Sequence, residues 1–431
     1  MSDAETDEVV LSGESVPEER LSQNKDFMRL WGGNSVSMVG TVISQVTIPL
    51  VAVLNLGVSP TQLGLISAAQ LAPILVVGPI LGHLVDSIPR RPVLIGTSLA
   101  RAVLLALLAV LVVTDVLGFW SLVMCALALG TLSSMFEVAW YAYFPSVVPA
   151  RHLVAANSRV QTSYSVAQVA GAGLGGWLMK VLSPAIALGL DSLTYLYAAV
   201  SFASVRTPEK REERTDAQDS FVRRFTAGFR VLWRERVLRA MLLEGAWFNF
   251  CEQAFVTVFM VFAVRELGMT TDVIGLCIGL GSIGAVAGSL AADWVGRWIG
   301  QVRVLVLGLG AASFGPLLTP LAEGNGWSTS VLVVSSFCCY GFGLTIYNIY
   351  SITERQRRVH ASAMGRASAA FRTMAFGAMP LGAIFGGALA TVTGARTALV
   401  VIGALLIGAW VVFSVAITRL LGGGQVDGGM P

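Results

Sequence analysis

Leu153–Gly176, LVAANSRVQTSYSVAQVAGAGLGG, and Met364–Gly387, MGRASAAFRTMAFGAMPLGAIFGG, read as two copies of one segment set 211 residues apart. At that offset Gly64 falls on Gly275, Pro73 on Gly284, Asp86 on Arg297 and Glu137 on Asn348, and Gly175 and Gly176 fall on Gly386 and Gly387. A chain that repeats itself at about half its length is one bundle written twice. Where each copy carries several apolar spans, this is the plan of many secondary transporters, whose substrate site lies between the halves at the bilayer midplane.

The composition agrees with spans. Of 431 residues, 55% are hydrophobic and only 13% charged, and the mean hydropathy is +0.72. A soluble domain of this length could not bury so much apolar surface. The 46 glycines suit helices that approach closely within a bilayer. The five cysteines, Cys125, Cys251, Cys277, Cys338 and Cys339, all fall inside apolar stretches without metal-like spacing, and read as small core residues. His83, His152 and His360 sit at span ends or in loops and form no ligand cluster. No metal or cofactor is expected.

A hydrocarbon core about 30 Å thick needs roughly 20 apolar residues per helix. Runs of that kind, bounded by charge, Pro or Gly, number twelve: 27–55, 61–86, 92–114, 118–144, 158–181, 184–205, 238–264, 272–294, 302–321, 327–350, 364–391 and 396–420. The alternating pattern of barrel strands is absent, so the expected fold is all-α and integral to the membrane, in two pseudo-symmetric six-helix bundles. The N-terminal bundle covers 27–205 and the C-terminal bundle 238–420.

Placing both termini in the cytoplasm leaves Lys180, Arg265 and Arg396 near the outer face and Arg101 and Arg372 within spans. The rest of the 29 Lys and Arg residues then fall on the cytoplasmic side, as the positive-inside rule requires. Residues 1–26 carry eight acids against two bases and no apolar run. They read as a disordered acidic tail rather than a cleavable signal peptide. Residues 421–431 read as a flexible cytoplasmic tail. Between the halves, 206–237 is a charged linker in which FVRRFTAGFRVLWRERVLR has helical apolar spacing, suggesting an amphipathic helix on the inner membrane surface. The localisation expected is the plasma or inner membrane, multi-pass.

The loop after span two reads GHLVDSIPRRPVL, Gly82 to Leu94. A small residue, a carboxylate four residues on and a basic cluster beyond form a compact hinge able to pair with a neighbouring helix end. This resembles the signature loop of the major facilitator superfamily. Gly82, Asp86, Arg90 and Arg91 match it, and Pro89 stands where a glycine is usual. The resemblance implies a conformational latch, assigning Asp86, Arg90 and Arg91 to gating. In the second half Asp293 and Arg297 are present, but the offset sets Arg297 opposite Asp86, so the second latch is degenerate.

FPSVVPARHLVAANSRVQTSYSVAQVAGAGLGG and TERQRRVHASAMGRASAAFRTMAFGAMPLGAIFGG resemble the fourth-to-fifth and tenth-to-eleventh span regions of the drug-exporting branch that includes macrolide-efflux and enterobactin-exporter proteins. Exporters of this superfamily carry a glycine-rich motif in span five. Gly171, Gly173, Gly175 and Gly176 follow it without its proline, whereas span eleven keeps Pro380 and its later glycines. Close helix packing would call for the same glycines.

Ionisable groups inside spans each cost about 2.5 to 3.5 kcal/mol on insertion scales, and their persistence marks function or pairing. They are Arg101, Glu137, Asp191, Glu244, Glu252 and Arg372. At 1.5 Å per residue Glu252 lies about 21 Å into its span and Glu244 about 9 Å. Glu244 is thus expected to snorkel or to pair with loop arginines. The resemblance implies that spans one, four, seven and ten line a central cavity. Its polar set would be Asn34, Gln45, Glu137, Glu252, Gln253, Tyr347 and Asn348. Carboxyls held away from water exchange protons near neutrality, the property a proton-coupled exchanger needs. Glu252 and Glu137 are the candidates for coupling. Arg101 and Arg372 read as fixed positive partners for Glu137 or Asp191, and Asp191 as a helix-packing acceptor. Trp140, Tyr141, Trp247, Phe248, Phe250 and Phe255 lie near the cavity carboxylates in sequence and offer faces for a lipophilic or cationic substrate.

There is no phosphate-binding loop, and the chain's lysines are Lys25, Lys180 and Lys210 alone. An ion gradient is left as the driver, each charge being worth about 2.3 kcal/mol per 100 mV. The expectation is a monomeric secondary transporter exporting a hydrophobic or amphipathic antibiotic, drug or siderophore-like metabolite by alternating access. Its other partners would be protons or another coupling ion and the lipid bilayer, with no nucleic acid. The alternatives are a metabolite uptake symporter and, from another class, an intramembrane enzyme or a non-transporting sensor. An enzyme would need a catalytic cluster and a sensor a larger soluble output domain, and neither is visible.

Overall fold

The computed structural model describes residues 21–76, 89–149, 152–207 and 221–422. The latch residues Gly82 and Asp86, the first 20 residues, the middle of the linker and the C-terminal tail lie outside the described residues. Among those described, every regular element is a helix. The N-terminal half contains α1 (Lys25–Leu54), α2 (Pro60–Leu71, continued by Pro73–Val76), α3 (Arg90–Val113), α4 (Phe119–Val147), α5 (Leu153–Val181) and α6 (Pro184–Ala203). A linker helix, Phe221–Arg234, leads to the second half. This contains α7 (Arg236–Arg265), α8 (Thr271–Ile299), α9 (Gln301–Phe314, continued by the 3-10 stretch Gly315–Leu321), α10 (Trp327–Arg358), α11 (Ala361–Gly377 and Met379–Thr393) and α12 (Ala395–Gly422).

Ten helices among the described residues are long and apolar enough to cross a membrane. The other two expected spans are α2, of which only part is described, and α5. The latter has 29 residues, but its run of Asn157, Ser158, Arg159, Gln161, Thr162 and Ser163 lowers its hydropathy.

Local chemistry sets the helix ends. Asn24 caps α1 by accepting from the Phe27 amide at 2.9 Å, and Ser59 and Gln62 form a capping box ahead of Pro60 at the start of α2. Pro184 follows the capping Ser183 at the start of α6. Helix α10 runs to Arg358, eight residues past its apolar stretch. Glu, Gln and Arg are good helix formers, and the terminal Arg355, Arg357 and Arg358 suit the negative end of the helix dipole. At 32 residues it is about 48 Å long, more than a bilayer core requires.

The duplication is visible in the packing. In the first half α1 packs on α5 and α6, α4 on α2 and α3, and α3 on α6. In the second half α7 packs on α11 and α12, α10 on α8 and α9, and α9 on α12. The turns match as well: Gly57 and Gly268 have φ of +60° and +62°, values that L side chains rarely adopt. In both turns the chain folds back alike, Val58 bonding to Ala52 at 3.2 Å and Met269 to Ala263 at 2.9 Å through backbone N–H···O=C.

The halves meet through α2 against α11 and α8 against α5, and the two contacts are copies of each other. A Cβ on Gly64 would overlap the carbonyl of Ala383, and one on Gly275 that of Ala172; a Cβ on Gly387 would overlap the carbonyl of Pro60, and one on Gly176 that of Thr271. These contacts seal the end of the bundle that holds the α1–α2 and α7–α8 turns. There Arg265 donates to the carbonyls of Gly57 (3.0 Å) and Val58 (2.6 Å). Lys180 pairs with Asp272 at 2.8 Å, and Thr61 shares a hydrogen bond with Thr391 at 2.8 Å.

The linker helix packs Phe229 and Leu232 against the start of α11, in a cluster with Leu238, Leu242, Ala367 and Ala370. Part of the apolar face of the linker helix is thus covered by protein.

Candidate functional site

The groups between the halves are built from α4, α5, α7, α10 and α11. Glu137 of α4 and Arg372 of α11 form an ion pair across the two halves, with their side chains 51% and 43% exposed. Arg372 also lies 5.6 Å from the ring centroid of Tyr141, one turn beyond Glu137. Tyr164 of α5 interacts electrostatically with Glu137, Tyr141 and Glu252. On α7, Glu252 accepts a hydrogen bond from the Tyr340 hydroxyl of α10, and the ring of Phe248 stacks on Tyr340 with centroids 6.1 Å apart. Among the described residues no Lys or Arg forms an ion pair with Glu252; its hydrogen-bond partner is a phenol. Beside it is a cavity of about 30 Å³ lined by Phe255, Pro316, Ser336, Phe337 and Leu406, room for about one water.

Tyr164 interacts electrostatically with both Glu137 and Glu252, and Gln253, next to Glu252 in sequence, is half-buried. Gln45 and Asn348 are exposed. Asn34 and Tyr347, expected to line the cavity, are instead 3% and 5% exposed. Asn34 donates to the sulfur of Met38 at 3.7 Å, and the Tyr347 hydroxyl is turned into the second bundle to reach Glu244. Glu244 corrects a second expectation. It neither snorkels nor pairs with an arginine, but is 7% exposed and held by Tyr347. The α7–α10 packing supplies a hydroxyl closer than any loop cation.

Asp191 is fully buried and accepts from Ser44 and, at 3.2 Å, from Thr194, tying α6 to α1 as a packing acceptor. Gly40 makes this possible, since a Cβ there would overlap the Asp191 carboxylate. Arg372 pairs with Glu137, whereas Arg101 makes no ion pair with either candidate. It is sandwiched between Phe136 and Tyr195, 4.4 Å from each ring centroid, and its Nε donates to the Thr97 carbonyl at 3.3 Å. The two rings occupy the space an ion-pair partner would need. Of the expected latch residues, Arg91 donates to the last carbonyls of α6, Phe202 at 3.2 Å and Ala203 at 2.5 Å. It closes the C-terminus of a helix in its own half.

The aromatic residues divide. Tyr141 and Phe248 belong to the site. Trp140 packs with Phe136, Phe144 and Phe202 in the first-half core, Phe250 against Phe385, and Phe255 against Phe259 and Phe337. Trp247 lines a groove between α7 and α12. Sequence reasoning missed Tyr164 and Tyr340. The available signal was the seven-residue spacing of Tyr340 and Tyr347, which places both on one face of α10.

The sequence model described as Major Facilitator Superfamily matches residues 30–383. Macrolide efflux protein A of Streptococcus pyogenes is 24% identical over 386 residues, covering 88% of this chain and 93% of that protein. The protein of the same name from Enterococcus faecalis is 24% identical over 313 residues, covering 72% of this chain and 95% of its own length. Among solved structures, a bacterial homologue of the iron transporter ferroportin in an inward-facing state superposes with a TM-score of 0.74 at 15% identity. That match covers 91% of this chain and 99% of the other. The nucleoside transporter NupG superposes at 0.68 with 14% identity, covering 92% and 99%. At these identities the structural likeness establishes the shared fold.

Proposed function

Since the chain belongs to the major facilitator superfamily, and is a multi-pass membrane transporter resembling drug-efflux proteins, we propose that it exports a hydrophobic or amphipathic small molecule in exchange for protons. The observations that carry this reading are Glu252, a carboxyl inside α7 held by a phenol, and the ion pair of Glu137 and Arg372 that joins the two halves. A proton arriving on Glu137 would remove one charge of that pair, and Glu252 is a second carboxyl that interacts electrostatically with Tyr164. Protonation and the contact between the halves thereby share one set of residues, as exchange by alternating access requires.

The distribution of Lys and Arg supports cytoplasmic termini in a cell membrane. With that orientation the glycine contacts hold the halves together toward the outer side, which supports a conformation closed to the exterior. Tyr141, Tyr164 and Phe248 offer ring faces beside the carboxyls for a lipophilic cation. Macrolides, large amphipathic bases, fit that chemistry, and two relatives are named for their efflux.

Accumulation of a radiolabelled macrolide by cells expressing the protein tests the reading. Lower accumulation than in control cells, restored when the proton gradient is collapsed, is the expected result. Higher accumulation in expressing cells would point to uptake by symport and overturn export.

A further inference from the structure

Two glutamates on α7 face two tyrosines on α10. Glu244 and Glu252 are eight residues apart, about 12 Å along the helix, and Tyr340 and Tyr347 are seven apart, about 10.5 Å. The helices run in opposite directions, so the pairs form two rungs, Glu252 with Tyr340 and Glu244 with Tyr347. The rungs differ in their surroundings. Glu252 adjoins a cavity of about 30 Å³. Glu244 lines a groove of about 710 Å³ between α7 and α12, with Leu243, Trp247, Gly408 and Val412 on its walls and Arg236 and Arg239 at its mouth.

We propose that Glu244 is a second proton-holding residue, the stop from which the coupling proton leaves, and that the α7–α12 groove is its way out to the cytoplasmic side. This rests on the proton-coupled exporter reading above. In this step the coupling proton leaves Glu252, which returns to carboxylate, and is taken up by the Glu244 carboxylate, which becomes the carboxylic acid. Glu244 then releases the proton toward the mouth of the groove. The groups facing Glu244 suit this. From α10 it meets Tyr347, with Arg355 one step beyond through electrostatic interaction with that tyrosine. From α12 it meets Leu405, Gly408, Ala409, Val412 and Phe413, none ionisable. On its own helix, Arg236 and Arg239 lie toward the mouth, and among the described residues neither forms an ion pair.

The purified protein in liposomes tests this with labelled macrolide under two conditions, exchange without a gradient and transport driven by a pH difference. Glu244→Gln is expected to keep exchange within twofold and lose at least tenfold of gradient-driven transport together with its pH dependence. Gly408→Leu places a side chain where a Cβ meets open space, narrowing the groove without touching Glu244. It is expected to slow gradient-driven transport several-fold and leave exchange unchanged. Wild-type pH dependence and rate in both variants would overturn the proposal while leaving proton coupling intact. A wild-type protein indifferent to the gradient would overturn the exporter reading and this proposal with it.

Discussion

Arg372 of α11 holds Glu137 of α4 across the gap between the two halves of the protein. Ion pairs this exposed contribute about 0–1 kcal/mol. A pair of that strength can form and break at little cost.

Removing either partner should therefore slow transport far more than it lowers stability. Arg372→Ala and Glu137→Gln are each expected to reduce macrolide transport at least tenfold with Tm within a few degrees of wild type. The exchanged pair, Glu137→Arg with Arg372→Glu, should recover a large part of the activity. Failure of the exchange to recover any, with the protein folded, would assign the two residues separate roles.

Gly64 with Gly387 and Gly275 with Gly176 are one contact made twice. A methyl at any of them meets backbone rather than a movable side chain, and overpacking costs about 1–3 kcal/mol. Gly64→Ala and Gly275→Ala should bias the halves apart at the outer end to similar extents. Labelling of a cysteine introduced at Thr391 by an impermeant reagent added outside should rise in both. Unchanged labelling would show that these helices separate elsewhere.

Asp191 accepts hydrogen bonds from Ser44 of α1 and Thr194 of its own helix. Asp191→Ala leaves the Ser44 hydroxyl without its acceptor and removes the carboxylate with which the buried Arg101 interacts electrostatically. A loss of about 2–4 kcal/mol, read as a fall in Tm in detergent, is expected. Transport per folded molecule should remain near wild type. A catalytically dead but fully stable variant would move Asp191 into the transport machinery.

Much of this was legible in the sequence because membrane physics leaves strong marks. The 211-residue offset set the pseudo-symmetric helix pairs, and apolar runs located the helices to within a few residues at most ends. The misses have physical causes. Apolarity ends where a bilayer ends, but helicity does not, so α10 continued to Arg358 on propensity and charge. A span-by-span reading gives a carboxyl's depth but not its partner. Glu244 was therefore read as able to snorkel or to pair with a loop arginine, whereas Tyr347, seven residues past Tyr340, was already positioned to meet it. Arg101 shows the same limit, since the rings of Phe136 and Tyr195 that stack on it could not be read from its position in the span.

Proton movement in everted membrane vesicles tests the central claim most directly. Vesicles containing the protein are acidified inside, and a macrolide is added outside while a pH-sensitive dye reports the lumen. The account predicts macrolide-dependent alkalinisation in wild-type vesicles, absent from vesicles lacking the protein and from those carrying Glu252→Gln. Accumulation of labelled macrolide in wild-type vesicles with no change in luminal pH would contradict it.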